Sequence, residues 1–145
     1  MGDHGGGQPA AYRVVADSLD KVYGPKGIQV VFCDDVSAKA HADFDVWLAA
    51  NGYPVSSHAG IPDTSTMLYL DSLGVWVRRD PIPTALGDTL PRGARLDVND
   101  PNDPPRVSNG VSGDARRSSA ELGKRAFDMK VDNAVRQIRG FLGQP

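Results

Sequence analysis

Apolar side chains recur every three to four residues between Pro9 and Tyr23, which is the spacing of one face of a helix. Pro9 suits a first helical turn and Gly24-Pro25 suits a stop, so the pattern predicts a helix between them. The next apolar run, Ile28 to Cys33, is short and rich in β-branched residues. Such a run predicts a buried strand.

Two shorter helices are predicted in the middle of the chain. The first has Asp43 in place to cap its start and Gly52 to end it. The second follows a bend at residues 60–62, and its pattern puts Met67 and Leu68 on the buried face, with Leu70 as a further candidate.

Residues 80–114 are dense in Pro, Gly, Asp and Asn and poor in apolar side chains. The composition predicts a long loop, and a loop of this length is usually functional or disordered. Before it, Val75 to Val77 has the pattern of a brief strand. Strands that lie between helices favour an α/β layered arrangement over an all-helical bundle.

The last predicted element has the clearest pattern. Ser118 and Glu121 have the spacing of a capping box, in which each side chain satisfies a backbone N–H at the helix start. Apolar and basic residues then alternate at helical spacing as far as Gly140 or Gly143, which predicts a strongly amphipathic helix. Its apolar positions are Phe127, Val131, Val135, Ile138 and Leu142.

Composition and charge exclude some classes of partner. The 145 residues carry a formal net charge of −2 at pH 7, so no broad basic field attracts nucleic acid or an anionic membrane. No apolar run approaches the roughly 20 residues that span a bilayer. We therefore predict no nucleic-acid partner and no membrane partner. Cys33 is the single cysteine, which excludes an intrachain disulfide.

The chain opens with Met-Gly-Asp-His-Gly-Gly-Gly, directly before the first predicted helix. Glycines let a backbone approach a ligand closely, and the neutral imidazole of a histidine such as His4 is a common metal ligand. A glycine-rich terminus is also often unstructured. The residues alone leave both interpretations open and favour the second.

His58 and Asp63 are separated by Ala-Gly-Ile-Pro. A tight turn there would bring an imidazole and a carboxylate into one pocket, and both metal ligation and acid–base catalysis use such a pair. Alternatively, Asp63 or Thr64 only caps the next helix and His58 is a polar loop residue. The spacing alone favours this second interpretation.

Three segments together resemble motifs of the creatininase (creatinine amidohydrolase) family. His58-Ala-Gly-x-x-Asp-Thr-Ser-x-Met-Leu is similar to a family signature that has glutamate at the position of Asp63. Gly2–Gln8 resembles the family's Asn-Gly-His-Gly-Gly-Asn loop. Asn109–Arg116 resembles the Gly-Val-x-Gly-Asp-Pro turn before the family's last helix. The motifs occur in the family's order and cover nearly the whole chain.

The resemblance implies a hydrolase in which a pair of divalent zinc or manganese ions holds a hydroxide that attacks a carbonyl carbon. It implies that His4 and Asp63 are metal ligands and that His58 moves protons as the C–N bond breaks. It also implies an α/β/α layered domain with a mainly parallel sheet, over residues 1–145. The substrate loop would contain Asp3, Gly5 and Gly6.

The resemblance further implies a small-molecule substrate, cleavage of a non-peptide amide that includes cyclic ones, and a homo-oligomer. Strand edges without sheet neighbours would also favour self-association. The nearest alternative is a metal-dependent esterase or lactonase on the same fold, because the same attack serves an ester carbonyl.

Metal ligands from the first half of the family fold have no counterpart in this sequence. We therefore expect the chain to be the second half of the fold, with the N-terminal portion missing. A truncated, catalytically silent assembly or metal-binding remnant is accordingly a third alternative. The compartment stays open between the cytoplasm and export of a longer parent protein.

Overall fold

The computed structural model describes residues 8–54, 56–88, 107 and 109–143. These residues are 59% helical. Their α-helices are α1 (Gln8–Tyr23), α2 (Val36–Ala50), α3 (Ile61–Leu70) and α4 (Ala120–Phe141), with 3-10 turns at Gly24–Lys26 and Ile82–Thr84. No described helix is both long enough and apolar enough to cross a bilayer.

The predicted α/β fold, an α/β/α layered domain with a mainly parallel sheet, is wrong: the described residues are helical and form no sheet. Ile28 to Cys33 is irregular, and the side chains of Ile28 and Val31 are 53% and 38% exposed. The Val30 N–H donates to Asp20 Oδ1 at 2.8 Å. A strand needs a neighbouring ladder for its backbone groups, and the described chain supplies only isolated β-bridges.

Val75 to Val77 is not a strand either, because its backbone N–H groups turn towards a single carboxylate. Val75 and Trp76 donate to Asp71 Oδ1 at 2.8 and 3.1 Å, and Val77 donates to Asp71 Oδ2 at 3.0 Å. Arg79 Nη2 lies 3.5 Å from the same Oδ2. Asp71 is 2% exposed, so this side chain is the buried centre of the turn that follows α3.

Helix α2 begins well before the predicted cap at Asp43. The residues ahead of Asp43 include several alanines, the residue type with the highest helix propensity. Buried positions then recur every four residues along the helix, at Val36, Ala40, Phe44 and Leu48. The predicted end is confirmed, since α2 stops at Ala50 and Gly52 has a φ of 71°.

The helices predicted at Pro9–Tyr23, after residue 62 and at the C-terminus are all present. In α3, Leu68 is buried as predicted, whereas Met67 and Leu70 are 45% and 43% exposed. At the start of α4 the capping residue is Ser119 and not Ser118: Ser119 Oγ accepts the Leu122 N–H at 3.2 Å.

The chain divides into two compact units, residues 1–40 with 130–145, and residues 41–129. In the second unit the core brings α2, α3 and α4 together, and the Arg125 guanidinium covers the Trp47 ring at 4.2 Å. The buried core residues are Phe44, Leu48, Ile61, Leu122 and Ala126, with Trp47, Tyr53 and Met129 packed against them.

In the first unit, polar contacts attach the segment after α1 to the helices. Asp34 forms an ion pair with Arg13 and accepts a hydrogen bond from Gln137 Nε2 at 2.8 Å. The hydrogen bond from Arg13, followed by that from Gln137, lowers the pKa of the Asp34 carboxyl. The rings of Tyr12 and Phe32 lie 5.7 Å apart.

The predicted loop at 80–114 is described only at its two ends, because residues 89–106 and 108 lie outside the described residues. At its start, Ile82–Thr84 forms a 3-10 turn. At its end, isolated β-bridges pair Leu86 with Asp114 and Asp88 with Ser112.

Candidate functional site

The candidate site is built on the turn that carries His58, immediately before α3. The Gly60 N–H donates to the Ser57 carbonyl at 3.0 Å, which closes the turn. Ser56 Oγ accepts the Ile61 N–H at 2.9 Å, at the first residue of α3. The turn thus passes directly into the helix, and His58 lies exposed on its outside.

Gly60 is required by close packing inside this turn. A Cβ at position 60 would lie 2.5 Å from Ser56 Cβ and 2.7 Å from Ser56 Oγ, both well inside van der Waals contact. Gly60 is itself buried. The glycine of the His-Ala-Gly motif therefore has a steric reason that does not depend on any ligand.

Ala59 has a φ of 52°, a left-handed conformation that is unusual for a residue with a Cβ. Both of its backbone polar groups are bonded by side chains from the first turn of α3. Asp63 Oδ2 accepts the Ala59 N–H at 2.9 Å, and Thr64 Oγ1 donates to the Ala59 carbonyl at 2.9 Å. Asp63 therefore bonds to the backbone of the residue that directly follows His58.

Ser65, the next motif residue, serves the packing between two helices. It is fully buried, and its Oγ accepts the Ser119 N–H at 3.2 Å, just before α4 begins. Asp63, Thr64 and Ser65 thus each bond to backbone. The imidazole of His58 makes no hydrogen bond within the described part of the chain, and His58 is exposed.

The segment 109–115 is bonded to the His58 turn through its backbone. The Ser57 N–H donates to the Ser112 carbonyl and the Ser112 N–H donates to the His58 carbonyl, each at 2.8 Å. On the other side, the Gly87 N–H donates to the Gly113 carbonyl at 2.8 Å, and the Gly113 N–H donates to the Asp88 carbonyl at 2.6 Å. Three separate parts of the chain therefore meet at this place.

Sequence reasoning missed two polar residues that this pairing brings to the site, Asp88 and Ser112. Gly87 carried the available signal, because a Cβ there would lie 2.0 Å from the Val111 carbonyl oxygen. A glycine followed by an aspartate within a long polar segment is too common a pattern to have indicated this contact.

Asp114 and Arg116 form a two-point ion pair where the segment leaves the site. Arg116 Nε donates to Asp114 Oδ1 at 2.9 Å, and Arg116 Nη2 donates to Oδ2 at 2.7 Å. The hydrogen bond from Arg116 lowers the pKa of the Asp114 carboxyl. Arg117 bonds the Gly52 carbonyl at 2.7 Å and lies over the Tyr53 ring, so it secures the end of α2.

The described residues do not fit a metal centre by themselves. They contain no group of three or more His, Cys, Asp and Glu side chains placed to hold an ion. Catalytic zinc takes about three protein ligands. The predicted ligand His4 and the predicted substrate-loop residues Asp3, Gly5 and Gly6 lie outside the described residues. The roles predicted for His4, His58 and Asp63 stay predictions.

Comparisons with known proteins bear on the whole chain. No curated protein and no solved structure shows significant similarity to it. The family model described as creatininase, creatinine amidohydrolase, matches residues 1–138 of the 145. The match includes the His58 turn, the segment 109–115 and most of α4, and the chain therefore belongs to the creatininase family.

Proposed function

We propose that the chain acts as an amidohydrolase that cleaves a non-peptide amide C–N bond, including cyclic amides, in a small molecule. Membership of the creatininase family suggests hydrolase activity of the metal-dependent amidohydrolase type. The observation that carries the proposal is the His58 turn, in which the neighbouring motif residues are engaged with backbone while the imidazole is exposed.

Amide hydrolysis requires a proton at the leaving nitrogen. Water gives up a proton as its oxygen bonds to the carbonyl carbon. The leaving nitrogen takes up a proton from an acid, the C–N bond breaks and the amine departs, and the proton that water released restores the acid. Histidine is the side chain most often used for this purpose, because imidazole both donates and accepts protons under physiological conditions. His58 is proposed to supply this proton to the leaving nitrogen.

The family's divalent zinc or manganese remains part of the proposal, with His4 and Asp63 as the candidate ligands in this chain. A catalytic zinc takes about three protein ligands, and these are two. No step of the proposed reaction is therefore assigned to the ion.

The test compares His58→Gln with His41→Gln, a change of the same type on α2, outside the proposed site. Substrates are a panel of small linear and cyclic amides, creatinine included, and matched aryl esters. We expect His58→Gln to lower kcat/KM for amides by about 100-fold or more, because general acid catalysis contributes that much. His41→Gln should leave it unchanged.

The ester arm separates the two hydrolase alternatives. An aryl oxide leaves without being protonated, so loss of the acid at His58 should affect esters much less than amides. Turnover of esters alone would favour the esterase or lactonase alternative. Full amide activity in His58→Gln would contradict the assigned role.

The silent-remnant alternative is favoured by one observation, that the described residues hold no set of three metal-ligating side chains. Elemental analysis of the purified protein and of His4→Ala addresses it. About one zinc or manganese per chain, lost in His4→Ala, supports the hydrolase. Folded, metal-free protein that cleaves nothing in the panel supports the remnant.

A further inference from the structure

The conformation of Ala59 requires an explanation beyond the proposed reaction. It is the one non-glycine residue with positive φ in the described ranges, at 52°. A Cβ makes this left-handed region unfavourable, and such residues persist where their surroundings hold them there. Ala59 also directly follows His58, so its backbone conformation sets the direction in which the imidazole is presented.

The group that holds the N–H side of Ala59 is the carboxylate of Asp63. Asp63 Oδ2 accepts the Ala59 N–H at 2.9 Å, across four residues. Asp63 also lies in the first turn of α3, where a negative side chain interacts favourably with the helix dipole. Because Asp63 is part of the helix, its backbone position is fixed, and the hydrogen bond from its side chain fixes the Ala59 N–H in turn.

We propose that Asp63 is a positioning residue, whose carboxylate holds Ala59 in the left-handed conformation and so orients His58. This inference rests on the proposed function, in which His58 delivers a proton. It gives a reason for aspartate at a position where the family signature has glutamate. The shorter side chain brings an oxygen to the N–H of residue 59, whereas glutamate carries its carboxylate one methylene further.

Positioning and metal ligation predict different results for Asp63→Asn. Asparagine keeps a carbonyl oxygen that can accept the Ala59 N–H, but it has no negative charge for a cation. Asp63→Ala removes both properties. Ala59→Gly is the complementary change, because glycine adopts a φ near that of Ala59 with little cost and needs no carboxylate to hold it.

The experiment measures unfolding by urea for Asp63→Asn, Asp63→Ala, Ala59→Gly and the double variant Asp63→Ala with Ala59→Gly. We expect Asp63→Ala to raise the equilibrium constant of unfolding by about tenfold, as loss of a helix cap does. Asp63→Asn should change this constant far less. In the Ala59→Gly background the effect of Asp63→Ala should shrink.

A matched control is Asp128→Ala, which removes an exposed carboxylate 2.5 Å from Lys124 Nζ on α4. Its effect should be small and independent of the residue at position 59. Hydrogen exchange of the Ala59 amide gives a direct second measurement. The amide should be protected in the wild type and in Asp63→Asn and should exchange faster in Asp63→Ala.

Enzyme kinetics test whether Asp63 affects catalysis by orienting His58. For a substrate that the wild type cleaves, Asp63→Ala should lower kcat by about tenfold or more with little change in KM, because a misplaced acid affects the chemical step. Asp63→Asn should recover most of kcat. A role of Asp63 in stability alone would leave kcat of the folded protein unchanged.

The proposal is overturned if Asp63→Asn and Asp63→Ala lose metal and activity equally while neither depends on the residue at position 59. It is also overturned if the Ala59 amide exchanges equally fast in all variants. The unfolding and hydrogen-exchange measurements do not require an active enzyme. If they show that Asp63 and Ala59 are coupled in a protein that cleaves no substrate, the proposed function is contradicted and the positioning contact is not.

Discussion

At the scale of single residues, Gly123 sets how closely α3 and α4 approach. A Cβ at this position would lie 1.8 Å from the Ser65 carbonyl oxygen and 2.8 Å from Tyr69 Cβ. Because the first of these atoms is backbone, the two helices would have to separate. We expect Gly123→Ala to lower the free energy of unfolding by at least about 2 kcal/mol, measured by urea denaturation.

Gly140 provides the matched control on the same helix. A Cβ at position 140 would meet no atom within 4 Å. Alanine is the better helix former, so Gly140→Ala should raise the free energy of unfolding by about 0.5–1 kcal/mol. Equal stability of the two alanine variants would show that α3 and α4 do not pack as described.

At the same scale, the sequence identified His58 and Asp63 as a pair but could not assign their roles. The four residues between them allow a metal ligand, an acid–base partner or a turn cap, and this spacing by itself favours the cap. The choice depends on where one carboxylate oxygen points, and that depends on the φ of Ala59. A single dihedral angle of this kind has no periodic signature in the sequence.

At the scale of elements, the turn after α3 depends on the buried carboxylate of Asp71. Burial raises its pKa, but hydrogen bonds from Val77, Trp76 and Val75, together with the charge of Arg79, lower it more. The net pKa lies below the ordinary value of 3.8. The contribution of Asp71 to stability is therefore complete above that value and is lost as pH falls through the lowered pKa.

We accordingly expect Asp71→Asn to be less stable than the wild type at neutral pH, because its amide cannot accept all three N–H groups. The difference should narrow as the pH falls below about 4. Urea denaturation repeated at several pH values measures it. Asp80→Asn is the control, since the Asp80 side chain is 75% exposed and its ion pair with Arg78 is long, at 3.6 Å. A wild type and an Asp71→Asn variant with parallel pH dependence would contradict this account.

The same carboxylate explains why a strand was predicted at Val75 to Val77. Three apolar residues in a row favour pairing with a neighbouring strand. Their N–H groups instead donate to one side chain, and Val75 and Trp76 are largely exposed, at 71% and 69%. A buried side-chain acceptor four residues away is not visible in a hydropathy pattern.

At the scale of the whole molecule, many apolar side chains remain exposed on helices. In the unit of residues 1–40 and 130–145, those on the helices include Val14, Val15, Leu19, Val22, Val131, Val135, Ile138 and Phe141. Apolar surface of this extent often marks an interface. The predicted homo-oligomer stays a prediction, now argued from helix faces and not from strand edges.

We expect the purified protein to self-associate as its concentration rises, as measured by analytical ultracentrifugation. Val15→Asp should shift the equilibrium towards monomer, because a carboxylate is costly to bury in an apolar interface. Val46→Asp, at a valine on α2 that is 71% exposed in the other unit, is the control. A wild type that stays monomeric at every accessible concentration would contradict the predicted homo-oligomer.

The helices were predictable because their hydrogen bonds are local. A helical N–H bonds the carbonyl four residues earlier, so α1, α4 and the stop of α2 before Gly52 follow from spacing and from nearby Pro and Gly. The family followed from three ordered motifs, and the family match over residues 1–138 confirms it.

Only the tertiary structure decided the features that depend on residues far apart in sequence. A strand exists only if a second strand lies beside it, and the described chain provides none for Ile28 to Cys33. Whether an apolar helical face is buried depends in the same way on a partner surface. Helix α4 is amphipathic as predicted, and yet Val135 on its apolar face is exposed. The meeting of residues 57–58, 87–88 and 112–113 also rests on backbone pairing between distant segments, which no local pattern encodes.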